Sequence, residues 1–480
     1  MSIVAARVLG PEQMGRQSFI AFVTLIATSL CAAGLPAALT RSVGLAAGRG
    51  DQGAIAGLVR AGWLVEFALA LVGTGALLVA MAAGAQPRAA WGLAALTVFA
   101  GALATVPLAA LSGTHEWKAY SVPILVTNIV STGLTLGALA VGWGITGIVG
   151  ARFVQTLAVT LWVTVVLRAV LRRGAPTAPR REPVYEREML RYAAASSFSV
   201  LLTLVVYLRT ELFFLNHFSS DVQIAHYAIA SSALTILLAA PLALGIALGP
   251  ALSNLHGAGE FDRIRVGYSR VLRVSILVSL PTMGLAAIVG PRLLLLFYGA
   301  SYSGVQAVFL MLLPSLVAVP LISASAAVLT AHGQVRAPLL GFLAAAATDL
   351  LAAYELVPRY GALGAAAASV MAFIVAASFL GFSARRTVRW VDIDKRSLLF
   401  AAVASVTATC AGLGVLFIGS AALVLVPAVG SFILVFAMLA RTMGVARDED
   451  ARWLVGVAGR IHPRASRIVA LVLRPSLSME

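Results

Sequence analysis

The sequence predicts an all-α polytopic membrane protein with thirteen full transmembrane helices and an N-terminal stub. Its residues are 60% hydrophobic and only 11% charged, whereas a soluble domain carries roughly a quarter charged residues. Apolar segments long enough to cross a bilayer, about 20 residues each, follow one another along the chain. In lipid only helices and closed barrels satisfy the backbone, and these segments are too long for barrel strands.

Thirteen segments have the length and apolar content of a membrane-crossing helix. A shorter apolar stub, residues 2–9, precedes them, and we expect it to be the end of a helix that starts upstream of Met1. A genuine N-terminus of unusual topology is the alternative. The predicted spans are 17–39, 58–83, 90–112, 120–142, 145–167, 190–216, 224–250, 271–289, 304–329, 338–356, 361–383, 398–418 and 421–440.

The positive charges predict the orientation of these helices. Of the 35 Lys and Arg residues, 28 lie in one alternate set of gaps or within the first three residues of a span that follows such a gap, five lie in the other set, and Arg152 and Arg209 lie deeper inside spans. Short cytoplasmic loops collect Lys and Arg. We therefore expect the C-terminal tail to be cytoplasmic and residues 1–16 to lie outside.

The net charge of +16 has the same origin, so nucleic acid is not expected as a partner. Basic clusters against the cytoplasmic leaflet are also suited to anionic lipid headgroups. Cys31 and Cys410 both fall within predicted spans, and no Cys/His spacing typical of a metal site occurs. The sequence therefore predicts neither a metal nor a cofactor.

A repeat relates the two halves of the chain. Gln13, Gly50, Lys118 and Gly144 are followed, about 210 to 218 residues later, by Gln223, Gly259, Arg336 and Gly361. This separation contains six helices, an even number, so both copies enter the membrane from the same side. The repeat therefore predicts two pseudo-symmetric six-helix lobes around a central cavity, which is an architecture of transporters. The expected divisions are an N-terminal lobe (1–167), a basic cytoplasmic linker (168–189), a C-terminal lobe (190–383), two extra helices (398–440) and a cytoplasmic amphipathic tail (441–480).

Four strings resemble polysaccharide flippases of the multidrug/oligosaccharidyl-lipid/polysaccharide exporter superfamily. They are ARVLGPEQMG (6–15), YLRTELFFLNHFSSDVQIAHYAIA (207–230), LLLLFYGASYSGVQAVFLMLLP (293–314) and PRYGALGAAAAS (358–369). The resemblance covers essentially the whole chain and implies a fourteen-helix plan whose first helix is truncated here. It also implies a transporter in the bacterial cytoplasmic (inner) membrane that moves a polyprenyl-pyrophosphate-linked oligosaccharide to the outer leaflet, with membrane lipids and glycan polymerases or glycosyltransferases as partners.

Such a transporter needs sparse polar groups within the membrane and no catalytic residues. A charge at the bilayer centre costs about 2.5–3.5 kcal/mol on insertion scales, so intramembrane charges are functional candidates. Arg152, Arg209 and Glu211 are candidates for contact with pyrophosphate or sugar, and structural pairing with an acid is the alternative for the arginines. Asp349 and Glu66 are candidates for proton or sodium coupling, or for a structural hydrogen bond.

Other functions remain open at the level of sequence. The main alternative is a multidrug or metabolite/cation antiporter of the same fold, because fold does not fix function. A membrane polysaccharide polymerase or ligase is a weaker alternative, since the predicted outer loops are short and no catalytic motif is found. A membrane scaffold without transport activity is the third.

Overall fold

The computed structural model describes residues 2–32, 34–173, 210–334, 336–388, 395–417, 424–443, 445 and 448–462, with isolated positions within 187–197 and 466–470. The regular structure of these residues is helical. Two compact units divide the chain, Met1–Ala225 (unit 1) and His226–Glu480 (unit 2). The lobe boundaries predicted from sequence remain a prediction, because most of the linker region lies outside the described residues.

Unit 1 contains α1 (Ser2–Ala32), α2 (Leu35–Gly48), α3 (Gln52–Ala82), α4 (Arg88–Gly113), α5 (Trp117–Ala140), α6 (Gly144–Arg173) and α7 (Glu211–Phe218), and α8 (Asp221–Gly257) begins there. Unit 2 continues with α9 (Phe261–Tyr298), α10 (Val305–Leu312), α11 (Ser315–Ala331), α12 (Arg336–Tyr360), α13 (Ala362–Val388), α14 (Lys395–Leu416), α15 (Leu425–Met443) and α16 (Asp448–Ile461).

Among the described residues, twelve helical segments are long and apolar enough to cross a membrane. Each overlaps one of the thirteen predicted spans. The remaining predicted span, 190–216, falls mostly outside the described residues. The predicted fold class, an all-α multi-pass membrane protein, is confirmed.

The beginning of the chain differs in detail from the prediction. The stub at residues 2–9 is helical and is joined to the following helix at a kink, where Gly10 has φ 76° and Pro11 follows. Glycine adopts positive φ without steric cost, and proline suits the start of a new helical segment. The predicted span 17–39 is divided, since α1 ends at Ala32 and α2 starts at Leu35 with a proline in its first turn.

Corresponding turns in the two halves have the same backbone geometry. Gly50 and Gly259, which precede α3 and α9, have φ of 70° and 74°. Gly144 and Gly361, which stand at the starts of α6 and α13, both have φ of 54°. These left-handed conformations favour glycine, so the glycines of the sequence repeat mark turns that are required in both halves.

Small residues allow the helices of unit 1 to pack closely around α4. The side chains of Ala90, Ala94, Ala95, Ala102 and Ala110 are fully buried. Helices in lipid associate through close packing of small residues. A Cβ on Gly101 of this helix would lie 3.1 Å from Cγ2 of Thr28 and 3.5 Å from Cγ2 of Thr156. At Gly101, helix α4 therefore packs closely against both α1 and α6.

Candidate functional site

A hydrogen-bonded polar cluster joins α5 and α6 in unit 1. Arg152 donates from Nη1 to Oε1 of Gln155 at 3.2 Å, and Gln155 donates from Nε2 to Oδ1 of Asn128 at 2.8 Å. Asn128 in turn donates from Nδ2 to the carbonyl of Ile124 at 2.8 Å. The spacing of Arg152 and Gln155 places them on one face of α6. The third residue of the cluster, Asn128, lies on the neighbouring helix α5.

Arg152 lies within a helix that is long and apolar enough to cross a membrane, and its side chain is exposed. It lies about 12 Å along α6 from Gly144, at roughly 1.5 Å per residue. Within the part of the chain that the structure describes, no acidic side chain forms an ion pair with it. The guanidinium is therefore presented beside two amide side chains rather than neutralised by a described acid.

Glu66 lies in a different part of unit 1, on α3, and is fully buried. The Thr105 hydroxyl of α4 lies beside its carboxyl group, but neither carboxyl oxygen accepts a hydrogen bond of good geometry from the described residues. The Thr105 hydroxyl of α4 donates to the carbonyl of its own helix at Ala102, at 2.7 Å. On the α1 side, the Cys31 thiol donates to the Leu69 carbonyl of α3 at 3.3 Å. A buried polar group without a partner is costly, which makes Glu66 an unusual feature of this unit.

The other predicted residues are distributed between the two units. Glu211 is buried in the first turn of α7 in unit 1, and Asp349 is buried on α12 in unit 2. Arg209 lies outside the described residues. No hydrogen bond or ion pair joins Arg152 to Glu66 among the residues that the structure describes. Arg152 and Glu66 are therefore not in direct contact with each other.

Sequence analysis missed a polar contact near the middle of α1. Arg16 donates from Nε to Oδ2 of Asp221 at 2.7 Å, and from Nη2 to Oε1 of Glu12 at 2.7 Å. Gly15 lies so close to the backbone of Asp221 that a Cβ there would overlap its carbonyl oxygen. In the sequence, Gly15 indicates that another segment can approach closely next to Arg16. It does not indicate that this segment carries Asp221.

Comparison with known families identifies the group to which this membrane protein belongs. Residues 1–256 match the family model described as polysaccharide biosynthesis protein. The chain belongs to the polysaccharide biosynthesis protein family. Residues 195–355 also match the MatE family model. No curated protein matches the sequence significantly.

Solved structures share the fold of this chain at low sequence identity. Lipid II flippase MurJ, in an inward closed conformation, is similar with a TM-score of 0.70 and 13% identity, over 92% of this chain and 95% of that chain. An inward-facing multidrug resistance MATE family transporter of the MOP superfamily has a TM-score of 0.66 and 16% identity, over 81% and 93%. A Vibrio cholerae MATE transporter in the bent form has a TM-score of 0.53 and 17% identity, over 81% and 97%.

The family matches and the fold agree with the resemblance found in the sequence. The protein is a member of the multidrug/oligosaccharidyl-lipid/polysaccharide exporter superfamily. It therefore has the multi-pass fold of membrane transporters and lipid flippases.

Proposed function

We propose that the protein flips a polyprenyl-pyrophosphate-linked oligosaccharide from the cytoplasmic to the outer leaflet, by alternating access, for cell-surface polysaccharide biosynthesis. The family match over residues 1–256 supports a role in this process. The substrate carries a polar head through hydrocarbon while its lipid tail stays in the bilayer. The protein must therefore offer the head cationic and hydrogen-bonding groups at membrane depth.

The arrangement of Arg152 carries this proposal. A guanidinium presents a planar set of donors that matches phosphate oxygens, and amide side chains both donate to and accept from sugar hydroxyls. Arg152 is exposed and is hydrogen-bonded to Gln155, which is hydrogen-bonded to Asn128. The cluster thus contains the two types of group that a pyrophosphate-linked sugar needs.

Arg209 and Glu211 complete the proposed substrate contacts. Arg209 supplies a second positive charge for pyrophosphate, and Glu211, at the start of α7, accepts hydrogen bonds from sugar hydroxyls. Glu66 and Asp349 are assigned to coupling, because a buried carboxyl changes its interactions when it takes up a proton or a cation. The burial of both side chains and the unpartnered carboxyl oxygens of Glu66 support this role.

We place the protein in the bacterial cytoplasmic (inner) membrane with its C-terminus inside, as the distribution of Lys and Arg predicts. A flippase hands its product to enzymes that extend or attach the glycan. We therefore propose glycan polymerases or glycosyltransferases as partners in the membrane, and we assign no enzymatic activity to this chain.

A second candidate function is a multidrug or metabolite/cation antiporter. The match of residues 195–355 to the MatE model favours it. An antiporter of this kind needs an acidic group that exchanges a cation with the substrate. Glu66 and Asp349 would serve that function, whereas the cationic cluster at Arg152 would not attract a cationic drug.

Complementation of a flippase-deficient bacterium tests the proposal, with surface polysaccharide and lipid-linked intermediates measured together. We expect the protein to restore surface polysaccharide and Arg152→Ala to abolish this rescue while intermediates accumulate, with a stronger defect when Arg209→Ala is added. Arg88→Ala is the matched control, because Arg88 is an exposed arginine at the start of α4. Absence of rescue by the well-expressed protein in hosts with matched repeat units, together with cation-driven drug efflux, would replace the flippase by the antiporter.

A further inference from the structure

Unit 2 contains a cavity of about 240 Å³ between α9, α11, α13 and α14. Most of its wall is apolar, and Leu272, Ile276 and Leu398 form part of it. Tyr268, Ser325 and Arg385 also line it and supply polar groups. Apolar walls with a few convergent polar groups are typical of small-molecule sites.

The buried polar groups of this cavity are already arranged in a pair. The hydroxyls of Tyr268 and Ser325 are hydrogen-bonded at 2.8 Å, and both residues are buried. A hydroxyl offers one donor and two acceptor positions, so one hydroxyl proton of this pair is available to a further acceptor. A ligand at this position should therefore have an oxygen that accepts a hydrogen bond.

The charges around the cavity leave an excess of positive charge at Arg385. Arg273 also lines the cavity, but Asp450 of α16 accepts from its Nε at 2.8 Å and from its Nη2 at 3.2 Å. Arg270 lies 3.2 Å from Glu449 of the same helix. Arg385 is exposed and has no acidic partner among the described residues. The amphipathic helix α16 therefore neutralises Arg270 and Arg273 of α9 and leaves Arg385 for an anion.

We propose that this cavity binds an anionic phospholipid of the cytoplasmic leaflet. Arg385 contacts the phosphate, the pair formed by Tyr268 and Ser325 donates one hydrogen bond to a phosphate or ester oxygen, and the apolar wall covers the first part of an acyl chain. The unneutralised guanidinium matches an anionic headgroup, and the apolar wall matches an acyl chain. Together they favour a lipid over a free anion. The proposal is independent of which substrate the protein transports.

The neighbouring residue Arg386 provides a matched control. Its guanidinium lies over the ring of Phe382, 4.3 Å from the centroid; Phe382 lines the cavity, but Arg386 itself does not. Arg385→Gln and Arg386→Gln remove the same charge from adjacent positions of α13. Since both arginines are exposed, neither substitution removes a buried contact that folding requires.

The test measures lipid binding to the purified full chain by native mass spectrometry. Phosphatidylglycerol is compared with phosphatidylcholine of the same acyl chains, and inorganic phosphate is added as a competitor. We expect phosphatidylglycerol to bind more tightly than phosphatidylcholine. We expect Arg385→Gln to weaken phosphatidylglycerol binding about tenfold, as the loss of a charge-assisted hydrogen bond implies, and Arg386→Gln to leave it within about twofold.

Three results would overturn the proposal. If Arg385→Gln and Arg386→Gln weaken phosphatidylglycerol binding equally, the lipid is attracted only by the general surface charge. Equal binding of the two lipids would remove the role of an anionic headgroup. Displacement of the lipid by millimolar inorganic phosphate would assign the site to a free anion. As a second variant, Ala377→Phe fills the cavity and should block lipid binding while the thermal unfolding of the protein stays cooperative.

Discussion

Arg16 and Asp221 form an ion pair at 2.7 Å although 205 positions of sequence separate them. The pair joins α1 to the first turn of α8, and Gly15 brings the two backbones into contact beside it. In the predicted orientation it lies at the outer face of the membrane. Alternating access requires the outer ends of helices to separate in one half of the cycle, so we expect this contact to open and close during transport.

Removing the ion pair should loosen α1 from α8 without unfolding the protein. Both side chains are partly exposed, and exposed pairs contribute about 0.2–1 kcal/mol. Arg16→Gln should therefore speed amide hydrogen exchange at residues 218–224 by up to about fivefold. Glu12→Gln, which removes only the partner within α1, is the control. Equal effects of the two substitutions would show that the pair with Asp221 has no special role.

A single methyl group at residue 15 should disturb the same contact more strongly. A Cβ there overlaps the Asp221 carbonyl, and overpacking typically costs about 1–3 kcal/mol. We expect Gly15→Ala to lower the thermal unfolding temperature of the detergent-solubilised protein. Gly48→Ala is the matched control, because nothing lies within 4 Å of a Cβ at that position. If Gly15→Ala unfolds at the wild-type temperature, the close approach of α1 and α8 does not occur in solution.

Glu66 should be required for coupling but not for folding. Glutamine has nearly the same shape, and a neutral amide is less costly to bury than a carboxylate. Glu66→Gln should therefore keep wild-type membrane levels and thermal stability, while transport in proteoliposomes no longer responds to an imposed proton or sodium gradient. Thr97→Val, which removes a buried hydroxyl elsewhere on α4, serves as the control. If transport by Glu66→Gln still depends fully on the imposed gradient, Glu66 is not a coupling residue.

The buried pair between Arg273 and Asp450 should hold α16 against unit 2. The two side chains are 9% and 4% exposed, and removing one partner of a buried ion pair costs about 3–5 kcal/mol. Asp450→Ala should therefore expose residues 448–461 to hydrogen exchange and to protease. Glu449→Ala, in which the lost carboxylate is mostly exposed, should change little. Equal protection of α16 in both variants would assign its attachment to apolar contacts alone.

The membrane helices were predictable because each helix in lipid satisfies its own backbone and must be apolar over its length. The predicted span 90–112 corresponds to Arg88–Gly113, for example. The division of span 17–39 was not predicted, because its apolar content continues through the break. The proximity of Arg152 and Gln155 follows from helical spacing, whereas their link to Asn128 depends on how α5 packs against α6. Arg16 was assigned only to topology, since nothing in the sequence near it indicates Asp221.

The long separation between Arg16 and Asp221 also bears on the order in which the protein is assembled. Helices such as α3 and α4, or α5 and α6, are joined by short turns and can pair soon after they leave the ribosome. The ion pair has to wait until Asp221 has been synthesised, when the preceding helices of unit 1 are already inserted. It is therefore one of the last contacts of unit 1 that can form, and a nascent chain that is arrested before residue 221 would have α1 without this neighbour.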